Sequence, residues 1–459
     1  MARWQVLFSA LLFFVLFSLI GGCTRTDNAP TTEQPSSTIA VPSPEIIVDY
    51  SKFLPPKLAK DFYPNGLTRN ELIAAKSKAT GKTGVLEKDE TWDGVISITG
   101  DLQVRPGVTL NIKPGTIILV SALSDDQKTG SISEQDQFNP KKPARDAPYT
   151  QSRVEITIDG SLIARGTREA PIIITSDAVV PQTDDWLGIQ FSPGSTGELE
   201  RVIVEYDRIF GISSSNVTIK QAIIRNMMEA IVIMGQREEL LSLNPTITQS
   251  YIYNVGQNAI TVRSGKPTIT NNIIRPRQDT DTLNLPGFEY GAIGVDHPAN
   301  PSISYNFIEG GPSIPYKEYD IWGNYHEYLE SGGLVFHGSI APSTIAYNTF
   351  YGAGLNGLEI YPSLIKIEHN NFINNKTNLM VYESQYEPSD IWQKKLFDEG
   401  IIKPLRAQRI QATNNYWGSL WKNEIAASIC DNGLVQIEFE PYKTGFIAEA
   451  LPAWREFLW

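Results

Sequence analysis

Short runs of alternating apolar and polar residues follow one another along most of the chain, and glycine, asparagine or proline closes each run. Alternation with a period of two predicts β-strands, and closing residues of these types predict turns. The stretch SGKPTITNNIIRP, residues 264–276, holds two such runs on either side of a pair of asparagines. The pattern therefore predicts many short strands over residues 91–418.

The strands recur as repeats. Six segments begin with isoleucine and carry isoleucine or phenylalanine five residues later, and the last four have asparagine at the third residue after the start. A second register of strands, of the type AITV or GLEI, alternates with them. Each repeat therefore predicts a first strand, a turn, a second strand, an asparagine turn and a third strand. The six segments start at Ile219, Ile247, Ile269, Ile303, Ile345 and Ile367, with two steps of 22 residues.

A repeat of about 22 residues with three short strands cannot bury its apolar face alone, whereas stacked copies can. Each strand would then pair with the equivalent strand of the next coil, at a spacing of roughly 4.8 Å. We expect asparagine at the bend to have two roles. It tolerates the left-handed backbone conformation, and its side-chain amide can bond its neighbours along the stack.

With these repeats the chain resembles the right-handed parallel β-helix family, which is pectin-lyase-like, over about Thr91–Gly418. ATNNYWGS, residues 412–419, resembles the last coil of many bacterial members. We predict an all-β fold: a right-handed parallel β-helix, which is a solenoid of three-strand coils over residues 91–418. Small helical caps are expected at both ends, in residues 49–90 and 419–459. A β-propeller is the alternative, but its repeat is about twice as long.

The first residues predict export. Residues 1–22 carry one positive charge and then an unbroken apolar run of secretory length. The sequence Ile-Gly-Gly-Cys that ends at Cys23 resembles the bacterial lipobox, which implies cleavage before a lipidated cysteine. An ordinary signal peptide is the alternative. Residues 23–48 are rich in proline, serine and threonine and predict a flexible tether. We expect a protein held at the cell envelope by its lipid, in the outer membrane where the host has one.

Composition excludes some classes of partner. The formal net charge of -12 argues against nucleic-acid binding and gives no attraction to anionic membrane surfaces beyond the lipid anchor. The chain has 41% hydrophobic residues and two cysteines. If Cys23 carries lipid, we expect no disulfide, and stability must then come from burial and backbone pairing. We expect a monomer.

The strand register predicts one outward surface that could carry chemistry. Ile260 and Val262 should point inward, so that Arg263 points outward. The same parity on the following coils predicts a column of Arg263, Asp296, His337 and Tyr361, with Glu359 beside it. The resemblance implies that enzymes of this family act on the outward face of the first sheet. The alternative is that outward positions of any sheet are polar.

These side chains suit a sugar ligand. Arg263 could pair with a uronate carboxylate, and His337 or Tyr361 could transfer a proton. Asp296 and Glu359 are candidates for a catalytic carboxylate pair or for Ca²⁺ ligands, and Ca²⁺ is the one cofactor considered. No cysteine or histidine spacing indicates another metal site. The four histidines also disfavour a resemblance to the copper-maturation β-helix proteins of nitrous oxide reduction.

Long insertions are predicted to wall the same face. The insertion before the strand GLVF contains Trp322, Tyr325, His326 and Glu327. Aromatic rings beside acids suit sugar binding, since rings pack on the apolar faces of pyranoses. The alternative is a loop whose aromatic residues pack down onto the solenoid.

The reaction type stays open. YGAIGVDHP, residues 290–298, resembles the signature of alginate epimerases, but its spacing and order differ. The adjacent aspartates of polygalacturonases are absent from this face, and no arginine-lysine pair of the lyase type is present. We predict a cell-surface lipoprotein that binds an extracellular polysaccharide, with lyase, hydrolase or epimerase activity as an open question. A non-catalytic adhesin or structural envelope protein is the alternative.

Overall fold

The structure is a computed structural model. It describes residues 49–128, 149–235, 242–256, 258–276, 291–296, 299–311, 314–319, 325–330, 332–336, 342–361, 365–381, 409–431 and 435–454. For residues 314–319 and 325–330 it describes the backbone alone.

Three parallel sheets run along a solenoid, and each coil contributes one strand to each sheet in turn. The first and third sheets are joined through two long strands at the start, β1 (Thr80–Leu86) and β3 (Val95–Val104), which pair with each other along both halves. The first sheet continues with β6 (Glu155–Ile158), β9 (Gly188–Phe191), β12 (Ile209–Ile212), β15 (Glu229–Ile233), β18 (Ile260–Val262), β21 (Gly291–Val295), β26 (Gly332–Phe336), β29 (Asn356–Ile360), β32 (Thr377–Val381) and β34 (Ile429–Cys430).

Within the described residues, the second sheet has twelve strands. They are β2 (Glu90–Trp92), β4 (Thr109–Ile112), β7 (Ser161–Arg165), β10 (Thr196–Glu200), β13 (Asn216–Lys220), β16 (Thr246–Thr248), β19 (Thr268–Thr270), β22 (Ser302–Ser304), β27 (Ser343–Ala346), β30 (Ile365–Glu368), β33 (Arg409–Gln411) and β35 (Gln436–Glu438). The third sheet continues with β5 (Ile117–Val120), β8 (Ile172–Ser176), β11 (Val202–Glu205), β14 (Ile223–Met227), β17 (Tyr251–Val255), β20 (Ile273–Arg275), β23 (Phe307–Glu309), β28 (Thr349–Tyr351) and β31 (Asn371–Ile373).

The predicted register of the repeats is confirmed. The six isoleucines that start the repeats pair from strand to strand in the second sheet: Ile219, Ile247, Ile269, Ile303, Ile345 and Ile367. All six are at most 1% exposed and belong to one continuous core that runs through the solenoid. Burying an isoleucine in this way contributes roughly 1.5–3 kcal/mol relative to leaving it exposed. The all-β parallel fold follows from this stacking.

The two expected roles of asparagine at the bend fall on neighbouring residues. Asn271 adopts the left-handed conformation with φ of 57°, and Tyr305, Tyr347 and His369 do the same at the equivalent position. The next residue, Asn272, is buried and forms the ladder. Its amide donates to Asn306 Oδ1 at 3.0 Å. The ladder continues through Asn348, Asn370 and Asn415.

The solenoid extends beyond both predicted boundaries. Strand pairing begins at Thr80, before residue 91, and β34 and β35 continue it after residue 418. The expected C-terminal helix is α2 (Lys422–Ala427). The N-terminal helix α1 (Arg69–Ala75) has Thr68 as its N-cap, with Glu71 completing a capping box. Short 3₁₀ turns occupy Ser51–Phe53, Lys76–Lys78, Tyr149–Ser152 and Ala448–Ala450.

Residues 50–78, expected at the first end of the solenoid, instead run along its side. We call this segment the strap. Its first residue, Tyr50, bonds through its hydroxyl to the hydroxyl of Tyr416 near the last coil. Arg69, near its end, donates to Thr175 of β8 in an early coil. The strap therefore crosses the outer face of the third sheet against the direction in which the coils progress.

The strap is fixed by side chains of the third sheet that donate to its backbone carbonyls. Arg225 donates to Phe62 O at 2.7 Å, Tyr253 donates to Ala59 O at 2.9 Å, and Tyr251 donates to Pro56 O at 3.0 Å. Apolar residues on the same face, such as Ile203 and Ile223, are fully buried in this contact. The polar and apolar contacts together explain why this sheet face is not exposed to solvent.

A buried ion pair lies under the strap. Arg225 Nε is 2.7 Å from Glu205 Oε2, and both side chains have no exposed surface. The hydroxyls of Tyr63 and Thr175 also donate to Glu205. These bonds compensate the cost of removing the two charges from water, which would be several kcal/mol per ion if they were unpaired.

The segment between β23 and β26, predicted as a loop, contains an antiparallel hairpin of β24 (Ile314–Tyr319) and β25 (Tyr325–Glu330). Its isoleucine and tyrosines have high β-propensity, which explains the difference. Among the helices that the structure describes, none is long and apolar enough to cross a membrane.

Candidate functional site

The outward column on the first sheet follows directly from strand pairing. Thr261 of β18 pairs with Gly294, and the same position continues through Val335, Glu359 and Met380 on the following coils. Two residues further along their coils come Arg263, Asp296 and Tyr361, whose backbone N–H groups each bond to the preceding coil. Ile260 and Val262 lie in the core, so Thr261 and Arg263 face outward as expected.

Arg263 is an exposed cation on this face. Its guanidinium forms no ion pair or hydrogen bond with the residues that the structure describes, and it is therefore available to a ligand. Tyr361 is half-buried, in line with it three coils further on. Glu359 is also half-buried, and the amide of Asn356 donates to its Oε1 at 2.6 Å. At these positions the face thus presents an accessible cation beside neutral and acidic side chains.

Asp296 and Glu359 are not neighbours. The strand β26 lies between β21, which Asp296 follows, and β29, which holds Glu359. Two strand spacings separate their backbones by roughly 10 Å, and both roles predicted for the two carboxylates stay predictions. Within the described part of the chain, no group of three or more histidine, cysteine, aspartate or glutamate residues is arranged to hold a metal ion.

Two glycines of this face lie directly against the amide side chains of neighbouring residues. A Cβ at Gly211 would lie 1.8 Å from Gln190 Oε1, and a Cβ at Gly294 would lie 2.6 Å from Asn258 Nδ2. Both distances are shorter than a Cβ contact allows, so any other residue would displace the neighbouring amide. Glycine lets the amide lie across the sheet at these positions. Around these two glycines, the amides of Gln190 and Asn258 therefore contribute polar groups to the outward face.

The sequence pattern does not predict a role for two acids of this sheet. Glu229 is the first residue of β15, and burial, the largest influence, raises the pKa of its carboxyl group. Glu155 is the first residue of β6; burial and then the charge of Asp101 raise its pKa to about 7. Asp101 Oδ1 accepts the Glu155 backbone N–H at 2.8 Å. Both acids directly precede the alternating apolar residues of a first-sheet strand. An acid at that position is the one sequence signal that could have identified them as candidate site residues.

Several predicted site residues lie outside what the structure describes: Cys23, His337 and Trp322. Tyr325, His326 and Glu327 lie in β25, where the backbone alone is described, and their strand partners are Tyr319, Glu318 and Lys317. The structure therefore brings Arg263, Asp296 and Tyr361 into one line, with Glu359 beside it. For the other predicted residues their roles stay predictions.

A family model described as right handed beta helix region matches residues 229–391. Neither the curated proteins nor the solved structures contain a significant match to the chain. Together with the parallel sheets, the family match identifies the protein as a right-handed parallel β-helix. At that level it is a carbohydrate-related or structural β-helix protein.

Proposed function

We propose that the protein is an exported lipoprotein whose first sheet binds an extracellular polysaccharide on its outward face. The observation that carries the proposal is the exposed Arg263 on the outward face of the first sheet, where no residue that the structure describes forms a hydrogen bond or ion pair with its guanidinium. An unpaired guanidinium can bind a carboxylate through two parallel hydrogen bonds. Stacked coils also repeat this face at roughly 4.8 Å per coil, which allows contact with several units of a polymer.

The test is binding of glycans by the full chain purified in detergent. A panel of acidic and neutral oligosaccharides is titrated calorimetrically against the wild-type protein, Arg263→Ala and Tyr361→Ala. We expect Arg263→Ala to weaken binding of acidic glycans more than tenfold, because a hydrogen bond to a charged group contributes about 1.5–3 kcal/mol. Arg165→Ala is the matched control, since Arg165 is an exposed arginine of the second sheet.

The outcomes separate the candidate functions. If Arg165→Ala and Arg263→Ala weaken binding equally, the first-sheet face is not the binding surface. Absence of binding to every glycan leaves the non-catalytic structural role as the function. New reducing ends or unsaturated products in the same samples would show that the protein is an enzyme as well as a binding protein.

The lipid anchor is tested separately. Replacement of Cys23 by alanine should move the protein from the membrane fraction to the soluble exported fraction, because the lipidated cysteine supplies the acyl chains that hold it. Persistence of the Cys23→Ala protein in the membrane fraction would contradict the anchor and leave the binding proposal intact.

A further inference from the structure

Glu229 joins the first-sheet face through a chain of hydrogen bonds. Asn258 Nδ2 donates to Thr261 Oγ1 at 3.1 Å, and Thr261 Oγ1 donates to Glu229 Oε1 at 2.5 Å. All three side chains are at most 8% exposed. Thr261 belongs to the outward column, two residues before Arg263. This chain of hydrogen bonds, which we call the relay, therefore ends at the candidate binding surface.

The relay decides which carboxyl oxygen of Glu229 can carry a proton. An amide NH₂ group can only donate, so the Thr261 oxygen accepts from Asn258 and its hydroxyl proton points to Glu229 Oε1. Oε1 is therefore held as an acceptor. When the carboxyl group is protonated, the proton must be on Oε2, which then acts as a donor. Glutamine has the same arrangement of one acceptor and one donor group.

Charged groups from three neighbouring coils face Glu229. Burial raises its pKa most, and Asp296 raises it further, whereas Arg263, the bond from Thr261 and Arg208 lower it. Glu229 thus holds its proton to a higher pH than an ordinary glutamate. In that form the positive charge of Arg263 is not offset by an anion at Glu229. Once ionised, Glu229 would place a negative charge beside Arg263 and repel an anionic ligand.

We propose that Glu229 is the specificity-determining residue of the first-sheet face. Its Oε2–H donates to an oxygen of an acidic sugar whose carboxylate pairs with Arg263, so the acidic glycan binds to the protonated form of the protein. This inference rests on the proposed function of the same face. It adds the role of Glu229 and a dependence on pH that a neutral sugar does not show.

The experiment measures binding of hexagalacturonate and of a neutral hexasaccharide to the full chain between pH 5 and 8. For the wild-type protein, affinity for hexagalacturonate should fall by about tenfold or more as pH rises through the raised pKa of Glu229, since a charge-assisted hydrogen bond is lost. Glu229→Gln should show a constant affinity, because glutamine cannot ionise. In Thr261→Val the fall should move to higher pH, because the lost hydrogen bond had lowered the pKa of Glu229.

A purely structural Glu229 would not alter the pH profile, so Glu229→Gln with the wild-type profile overturns the inference. Arg263→Ala is a second test variant, because its side chain is exposed. Its removal should abolish the preference for hexagalacturonate over the neutral hexasaccharide. Arg165→Ala should keep the wild-type profile. Equal, pH-independent binding of both hexasaccharides overturns the inference and keeps the proposed function. Absence of binding of either probe at any pH overturns both.

Discussion

At the scale of single residues, Asp207 carries a carboxyl group that no other described residue bonds. It has no exposed surface, and neither carboxylate oxygen has a hydrogen-bond partner. Burial raises its pKa well above the ordinary value of 3.8, and the charge of Asp184 adds to this effect. A buried polar group without a partner costs about 1–3 kcal/mol, and more when it is charged. Asp207 therefore opposes folding at neutral pH.

We expect Asp207→Asn to increase the free energy of unfolding at pH 8 by about 1 kcal/mol or more. Because the folded pKa is raised, the folded protein keeps a proton that the unfolded chain releases, and stability is lost as pH rises from 3.8 towards the folded pKa. The gain should therefore shrink towards pH 4. Denaturant unfolding at several pH values measures it, with Asp126→Asn as an exposed control. An equal gain at pH 4 and pH 8 would contradict this account.

Buried acids such as Asp207, Glu155 and Glu229 could not be identified from the sequence. The alternation of apolar residues predicts which strand positions face inward, and Ile260 and Val262 follow it. These acids instead lie at corners or at the first residue of a strand, where the period of two does not hold. Their burial depends on how one coil covers the next, which a single repeat does not reveal.

At the scale of elements, the asparagine corner links successive coils from Asn272, just before β20, to Asn415, just after β33. Asn348 accepts from Asn306 at its Oδ1, and its own amide donates to Asn370 Oδ1 at 3.2 Å and to Ile303 O at 3.0 Å. All of these groups are buried. The ladder therefore satisfies polar groups at a bend where no strand pairing is available.

Asn348→Ala should lower the free energy of unfolding by about 2–5 kcal/mol, since a buried donor in one neighbouring coil and an acceptor in the other lose their partners. Asn111→Ala, which removes an exposed asparagine of β4, is the matched control and should change stability by less than about 0.5 kcal/mol. Equal effects of the two substitutions would show that the ladder contributes nothing specific.

The corner was predicted in part. Spacing from the isoleucines located the ladder asparagines, because their position repeats from coil to coil. Spacing could not show that the left-handed conformation falls on the residue directly before each ladder asparagine. The type of that residue varies from coil to coil: Asn271, Tyr305, Tyr347 and His369. At the last three positions the rings stack, with centroids 5.0 Å and 4.9 Å apart. Stacking of this kind stabilises residues that rarely adopt positive φ.

At the scale of the whole molecule, the strap connects coils that are far apart in the solenoid. Its contacts reach from Tyr416 at one end to Thr175 at the other. In a stack of coils each repeat contacts only its neighbours, so that ends can unfold separately. The strap adds contacts between distant coils, with the Glu205–Arg225 pair near its middle.

Glu205→Gln should release the strap, because Arg225 would remain buried without its counter-ion, at a cost of about 3–5 kcal/mol. Limited trypsin digestion should then cleave at Lys57 and Lys60 well before it cleaves the sheets. Glu198→Gln, which breaks the exposed ion pair with Arg165, is the matched control. Cleavage of the strap at the wild-type rate in Glu205→Gln would show that the ion pair does not hold it.

The path of the strap also determines the order in which the chain can reach its final state during synthesis. Tyr50 bonds to Tyr416, and Phe53 stacks on Phe446 with ring centroids 4.6 Å apart. Coils can stack on one another as they emerge, since each needs only the coil made before it. The strap is made before any coil, yet the surface that receives its first residues is made almost last. The earliest described segment of the nascent chain therefore docks last, once nearly four hundred further residues have been synthesised.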